Sequence, residues 1–494
     1  MSRIIELPII ICGELKYPKD DYIEIEYTNA VTVRITRPSG DDFERIFKFA
    51  EPLHQIPIEK VSRYLSTFAR SFCNPENPIR KEAVELSSYV TGYSEQMLDR
   101  DYTIISAYLS QRYTSYETVE SELGDYRILD NWVRKKVARV RAFPRGRALH
   151  VLVGNVPLTG IYSVFRSILT KNQTVVKLPS RDIVSTLYFM KGLIAANSED
   201  LPYKKAINSS LSAFYLDSSS DEMRKVIEAS DVVCAWGKGK SLKSIKGKVP
   251  YGTPFLEFGP KRSYSVLFSQ DCDLDKAAVR LAHDLSIYDQ EACLCPQRLF
   301  IIGEHEEFLV RLQKWLDWQA KALPRGVANP DGESHIFRTE LEARFRKWPT
   351  VAHDPEWRTI VCDPYSVNEH PLGRTLFVHP VKSENDILPF IDEETQAVSV
   401  YPYVGNIERL GDLFCSRGAS KLCETGMSML PREGWTHDGV HALSYFVRLC
   451  YLDENMGYEY KYDEREGALW FLNKMYGNPS ENLEEFIRQF PLPE

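Results

Sequence analysis

At 494 residues the chain is too long for one compact core, so two or three domains are expected. Hydrophobic residues make up 43% and charged residues 26%, the balance of a packed globular protein, which excludes long disordered or fibrous segments. The formal charge of −8, with no block of basic residues, excludes a phosphate-backbone partner, and no nucleic acid is expected.

The first apolar patches, Ile4-Ile5 and Ile9-Ile10-Ile11-Cys12, are interrupted by Glu6 and Pro8, and charge resumes at Glu14. They are too short for a secretory core or a membrane span of about 20 residues and predict a buried strand. Ten cysteines are scattered without C-x-x-C spacing, as expected of reduced thiols in a cytoplasmic protein. Residues 22–36 alternate apolar and polar and predict strands. From about 41 to 140 the rhythm turns helical, as in Ile58, Val61, Tyr64, Leu65 and Phe68.

From 148 onward short apolar runs are each followed by a turn and a helical stretch, the pattern of parallel strands buried on both faces. The runs fall at 148–153, 174–178, 212–216, 231–236 and 254–258, with crossover helices at 183–196 and 221–229. This part reads as a doubly wound nucleotide-binding domain. A second α/β stretch begins near 266, with helices at 274–287 and 306–323 and a strand at 298–302.

Several loops of these segments carry chemistry. In Gly154-Asn155-Val156-Pro157, a strand ends in a turn and a helix starts at the proline. Asn155 could present its NH2 to an oxyanion, and taken alone it could equally close its own turn. Lys177, Ser180 and Arg181 form a cationic, hydroxylic loop ahead of a helix, fit for a phosphate or for ordinary capping. Trp236-Gly237-Lys238 again follows a strand and opens a helix, where backbone could approach a pyrophosphate or simply meet solvent. Glu257, in the apolar strand Phe255-Leu256-Glu257-Phe258, is expected to be desolvated, either as an acid/base group or as a buried ion pair. Cys293, in Gln290-Glu291-Ala292-Cys293-Leu294-Cys295-Pro296, offers a thiol suited to acyl transfer, although a lone cysteine is usually inert core. His437 and His441 have a helical metal-site spacing, but Gly434 and Gly439 oppose a helix and no metal is expected. A redox pair of Cys293 with Cys295 is disfavoured by so short a loop.

The order of Asn-x-Pro turn, Pro-Ser loop, Gly loop, Glu-x-Gly strand and Cys loop, with Arg298 shortly after the cysteine, resembles the aldehyde dehydrogenase superfamily. Gln290–Gln297 and the stretch Pro431-Arg432-Glu433-Gly434-Trp435-Thr436-His437-Asp438-Gly439 look more narrowly like the acyl-CoA reductase family of the bacterial luminescence fatty-acid reductase complex. The resemblance implies an α/β, aldehyde-dehydrogenase-like fold with a doubly wound nucleotide-binding domain and a second α/β catalytic domain. It implies Cys293 as the acylated nucleophile, Asn155 and the Cys293 amide as the oxyanion hole, and Glu257 as general base. Lys177, Ser180, Arg181, Trp236, Gly237 and Lys238 would meet the cofactor. Leu178 separates Lys177 from the Pro-Ser step, and Arg181 stands where NAD-preferring members carry a glutamate, so NADP(H) is expected. The expected reaction is reduction of a long-chain acyl thioester to aldehyde. The alternatives are a fatty-aldehyde dehydrogenase working oxidatively and a non-catalytic acyl carrier. An acyl-protein synthetase, an acyltransferase and further copies of the chain are the expected partners. The expected divisions are an N-terminal α+β region (1–100), a cofactor domain (101–265), a catalytic domain (266–445) and a C-terminal segment (446–494) that packs back or makes an oligomer contact.

Overall fold

The computed structural model describes residues 3–28, 30–135, 138–196, 201–270, 272–327 and 330–453, with Met475, Glu484, Glu485 and Arg488 beyond. The chain divides into two compact units, residues 1–126 with 144–448, and residues 127–143 with 449–494.

In the larger unit the apolar runs from 148 onward become one sheet, ordered Phe255–Phe258, Val232–Trp236, Arg147–Val151, Gln173–Lys177, Leu211–Phe214, Ile9–Ile11, Glu14–Lys16. The first five are parallel. Their central members are buried throughout except at Arg147, as expected where helices cover both faces. The strand expected at Ile9-Ile10-Ile11 is present, fully buried and antiparallel to Leu211–Phe214. Strand order reverses at Arg147–Val151, so the crevice beside its carboxyl end is the topological switch point where such sheets bind ligands.

A second seven-stranded sheet runs Thr350–His353, Trp357–Val361, Thr375–Val381, Pro296–Ile302, Arg262–Phe268, Thr395–Tyr401, Leu422–Glu424, all parallel except the first. Helices Leu274–Ser286 and Glu306–Ala322 pack on it through Leu281, Leu285, Leu312 and Leu316. Each such leucine contributes about 1.5–3 kcal/mol by leaving water.

The helical rhythm after residue 41 becomes the helices Gly40–Phe47, Ile58–Cys73, Pro78–Thr91, Glu95–Ser110 and Arg112–Leu123. Phe68 and Phe72 of this layer meet Phe189 of helix Ser185–Ala195 edge-on, at 4.8 and 5.9 Å. The rhythm stops short of the expected 140. Val133–Arg134 and Ala138–Pro144 are strands, and with Val447–Asp453 they form a three-stranded sheet. The alternation Ala138-Arg139-Val140-Arg141-Ala142 carries the two-residue period of that strand. Apart from the four positions named above, the C-terminal segment past Asp453 lies outside the described residues.

Candidate active site

Cys293 sits in a loop held from both directions. Upstream, Tyr288, Asp289 and Gln290 take left-handed backbone at φ values of 50°, 49° and 70°, three successive residues without a glycine. Such a run costs about 1–2 kcal/mol per residue and persists only where its surroundings hold it. The holding groups are buried. Arg374 pairs with Asp289 at 2.7 Å, Gly326 N–H donates to the other Asp289 oxygen at 3.0 Å, and Gln290 bonds both the N–H and the carbonyl of Thr375. Downstream, Gln290 Nε2 donates to the Pro296 carbonyl at 2.8 Å, closing the loop on itself.

The two cysteines of this loop differ in kind. Cys295 is fully buried, its Sγ 3.3 Å from the Ile287 carbonyl, whereas Cys293 is partly accessible. Desolvation, with a contribution from the Asp438 carboxylate, pushes the Cys293 thiol up to about 12. The backbone amides of Cys293 and Leu294 and the Lys261 ammonium pull the other way, because they favour the thiolate. At neutral pH this thiol is protonated and needs a base.

Asn155 reaches the same loop. It follows the strand Arg147–Val151, and its Nδ2 donates to the Glu291 carbonyl at 3.0 Å, across 136 positions of sequence. It does more than close its own turn. Tyr93 Oη lies 2.7 Å from the Asn155 carbonyl and 3.0 Å from the Glu291 carboxylate, and that carboxylate pairs with Arg181 at 2.5 Å. Arg181 is therefore ion-paired to the nucleophile loop instead of standing free for a cofactor phosphate. Gly154 admits this geometry, since a Cβ there would come within 2.6 Å of the Asp182 nitrogen.

Glu257 departs from the desolvated carboxylate expected of it. Its side chain is 44% exposed and pairs with Lys246 at 2.7 Å. The strand Phe255–Phe258 is the edge of its sheet, and its burial alternates so that Glu257 faces out. Among the described residues its side-chain partner is Lys246, and none is in the Cys293 loop. Arg298 is also structural, donating to the carbonyls of Pro364 and Val367 at 2.9 Å each.

Two residues that the sequence offered only as a doubtful metal pair, or within a family-like stretch, do line this site. His437 packs against Trp236 and Phe258, with ring centroids 5.1 and 5.0 Å away, and burial depresses its imidazolium to about 3. Asp438 is 9% exposed with left-handed backbone, and desolvation raises its carboxyl to about 6 against the pull of Lys261, Gln396 and Arg166. Their signal in the sequence was the family-like stretch from Pro431 to Gly439.

Across the switch point lie the groups suited to a dinucleotide. Lys177 ends its strand 7% exposed, its Nζ 5.2 Å from the Tyr215 ring centre and in no side-chain hydrogen bond or ion pair among the described residues. Burial lowers its ammonium to about 8, partly offset by Asp217. Ser180 is exposed. Trp236 is spent on packing, stacked on Phe258 at 4.0 Å with its indole N–H on Ser163. Gly237 and Lys238 lead into helix Gly239–Lys246, whose N-terminus has no side-chain cap, leaving its first amides free for a pyrophosphate. A buried cation, an uncapped helix start and a glycine at a switch point fit a nicotinamide dinucleotide.

The two parallel-rich sheets, with a thiol loop facing the switch point of one of them, define the aldehyde dehydrogenase fold. Aldehyde dehydrogenase 21 from Physcomitrella patens superposes with a TM-score of 0.70 at 14% identity, covering 92% of this chain and 98% of its own. The NADP-dependent glyceraldehyde-3-phosphate dehydrogenase from Bacillus halodurans, solved with NADP, gives 0.66 at 14%, covering 91% and 99%. Within that fold the chain belongs to the acyl-CoA reductase (LuxC) family, whose pattern it matches over residues 53–449. It is 31% identical over 450 residues to the long-chain acyl-protein thioester reductase of Photorhabdus luminescens, covering 90% of this chain and 92% of the relative. The Photobacterium phosphoreum protein of the same description is 30% identical over 461 residues, covering 92% of each.

Proposed function

We propose that this chain reduces a long-chain acyl thioester, delivered by CoA or by a partner protein, to a fatty aldehyde through an acyl group on Cys293. The observation that carries the reading is the loop itself, which holds a partly accessible thiol beside two backbone amides, with the Asn155 amide bonded two residues upstream. Thiolate attack forms the acyl-cysteine and expels the donor thiol. A bound nicotinamide dinucleotide supplies the hydride. Asn155 Nδ2 and the Cys293 N–H hold the carbonyl oxygen as it gains charge, and collapse releases aldehyde and the thiol. The outward-facing Glu257 favours this reading over an oxidative aldehyde dehydrogenase, since the carboxylate expected to activate water is turned to Lys246.

Lys177, Ser180 and the Gly237-Lys238 helix start would hold the dinucleotide. The case for NADPH passes from Arg181 to Lys177, a buried cation at the end of strand Gln173–Lys177. No described helix is long and apolar enough to cross a membrane, which suits work in the cytoplasm. The aldehyde would feed a luminescence reaction, with an acyl-protein synthetase and an acyltransferase supplying the acyl group and with the chain itself oligomeric.

The test is incubation of the full chain with radiolabelled tetradecanoyl-CoA, with and without NADPH or NADH. A hydroxylamine-labile label on the Cys293 peptide, chased into aldehyde by NADPH, is expected. A label of full stoichiometry in Cys293→Ser refutes the assignment.

A further inference from the structure

We infer that Asp438 is the proton-transfer residue of this site, taking the Cys293 thiol proton when the acyl group arrives and returning one when the aldehyde leaves. The inference rests on Cys293 being the nucleophile.

Two strands of the second sheet bring the loops together. Ser263 Oγ donates to the Cys293 carbonyl at 2.6 Å and accepts from the Ala397 N–H at 3.1 Å. The neighbouring Gln396 places its Nε2 3.4 Å from His437 Nδ1, and its amide also bears on Asp438. The loop 435–439 is thus docked on the same strand ends that fix the nucleophile. The Asp438 charge acts on the Cys293 sulfur, and Lys261 acts on both groups.

Asp438 is also built at a cost. Its φ of 54° is strained for a residue with a side chain, and its Oδ1 is buried 3.4 Å from His437 Nε2, outside good hydrogen-bond geometry. A buried carboxylate so loosely partnered is accounted for if it exchanges a proton during turnover. The His437 ring lies against it, and the charges that bear on it are those of Lys261 and Arg166, with the Gln396 amide and the Cys293 thiol coupled to it. His437, with its imidazolium depressed to about 3, is too weak a base for the task. With its carboxyl raised to about 6, Asp438 is ionised at neutral pH yet basic enough to share a proton.

The steps balance. The Cys293 S–H proton passes to Asp438 as sulfur bonds the acyl carbon, and the expelled donor thiolate takes that proton. Asp438 then acquires a proton from solvent. Hydride from the reduced nicotinamide reduces the acyl carbon, the C–S bond breaks, and the Cys293 thiolate takes the Asp438 proton.

Single-turnover acylation of Cys293 by tetradecanoyl-CoA, followed from pH 5 to 9 in the full chain, tests this. The natural protein is expected to gain rate through an inflection near pH 6. Asp438→Asn should lose about 100- to 10,000-fold at pH 7 and lose that inflection, with Asp438→Glu restoring it. Asp438→Asn acylating within threefold of the natural rate, with the inflection kept, overturns the inference. Should Asp438→Asn fail to fold, iodoacetamide alkylation of Cys293 in the natural protein decides. A rate levelling above about pH 6 supports the base, and a tenfold climb per pH unit from 6 to 9 overturns it. An acyl label on a residue other than Cys293 would instead overturn the proposed nucleophile.

Discussion

Replacing Arg374 by methionine should loosen the nucleophile loop more than any substitution within the loop itself. The Arg374 side chain is 1% exposed and its partner Asp289 12%, so methionine leaves a carboxylate in the interior with only the Gly326 N–H against it. Stranding one member of a buried pair costs about 3–5 kcal/mol. The left-handed run it steadies costs a comparable amount, about 1–2 kcal/mol for each of Tyr288, Asp289 and Gln290. The loss should appear in urea unfolding as a midpoint lowered by roughly 1–2 M, at a slope of about 3 kcal/mol/M. Cys293 acylation should slow in the same variant. Adding Asp289→Asn removes the stranded charge and keeps a residue tolerant of left-handed backbone, so the double variant should recover part of the stability. A single-variant cost below about 1 kcal/mol, or a second substitution that adds its full cost, would refute the anchoring role.

Asn155→Ala should lower kcat by about 100- to 1,000-fold, the usual effect of removing one oxyanion donor, measured in single-turnover aldehyde formation. Glu257→Gln should leave acylation and reduction within about twofold, because an exposed ion pair contributes about 0–1 kcal/mol; a tenfold loss would mean that the carboxylate reaches the reacting carbon. Lys177 is cationic below about 8 and neutral above it, so dinucleotide affinity should weaken as pH rises from 7 to 9. Fluorescence titration with NADPH would read this, and Lys177→Met should be weak and flat over the same range.

The doubly wound half was legible because strands buried on both faces leave unbroken apolar runs, and Arg147–Val151, Gln173–Lys177 and Val232–Trp236 fall within two residues of those runs at either end. Cys293 was legible from its neighbours in sequence. The side of a strand was not: Phe255-Leu256-Glu257-Phe258 reads as apolar, yet an edge strand has an open face, and Glu257 takes it. Asp438 was illegible for another reason. Its relation to Cys293 exists only through pairing of Arg262–Phe268 with Thr395–Tyr401, and local sequence carries no trace of such long-range register. The Arg181–Glu291 pair was not legible either, because the two residues lie more than a hundred positions apart.

The ion pair of Arg181 with Glu291 links one side of the cleft to the other. Arg181 stands on the loop that would hold the ribose, and Glu291 stands two residues before the thiol. A dinucleotide drawing Arg181 toward itself would release Glu291 and shift the backbone carrying Cys293. Order of addition would then be written into the protein, with thiol reactivity toward alkylating agents changing as NADPH saturates, before any acyl group is present.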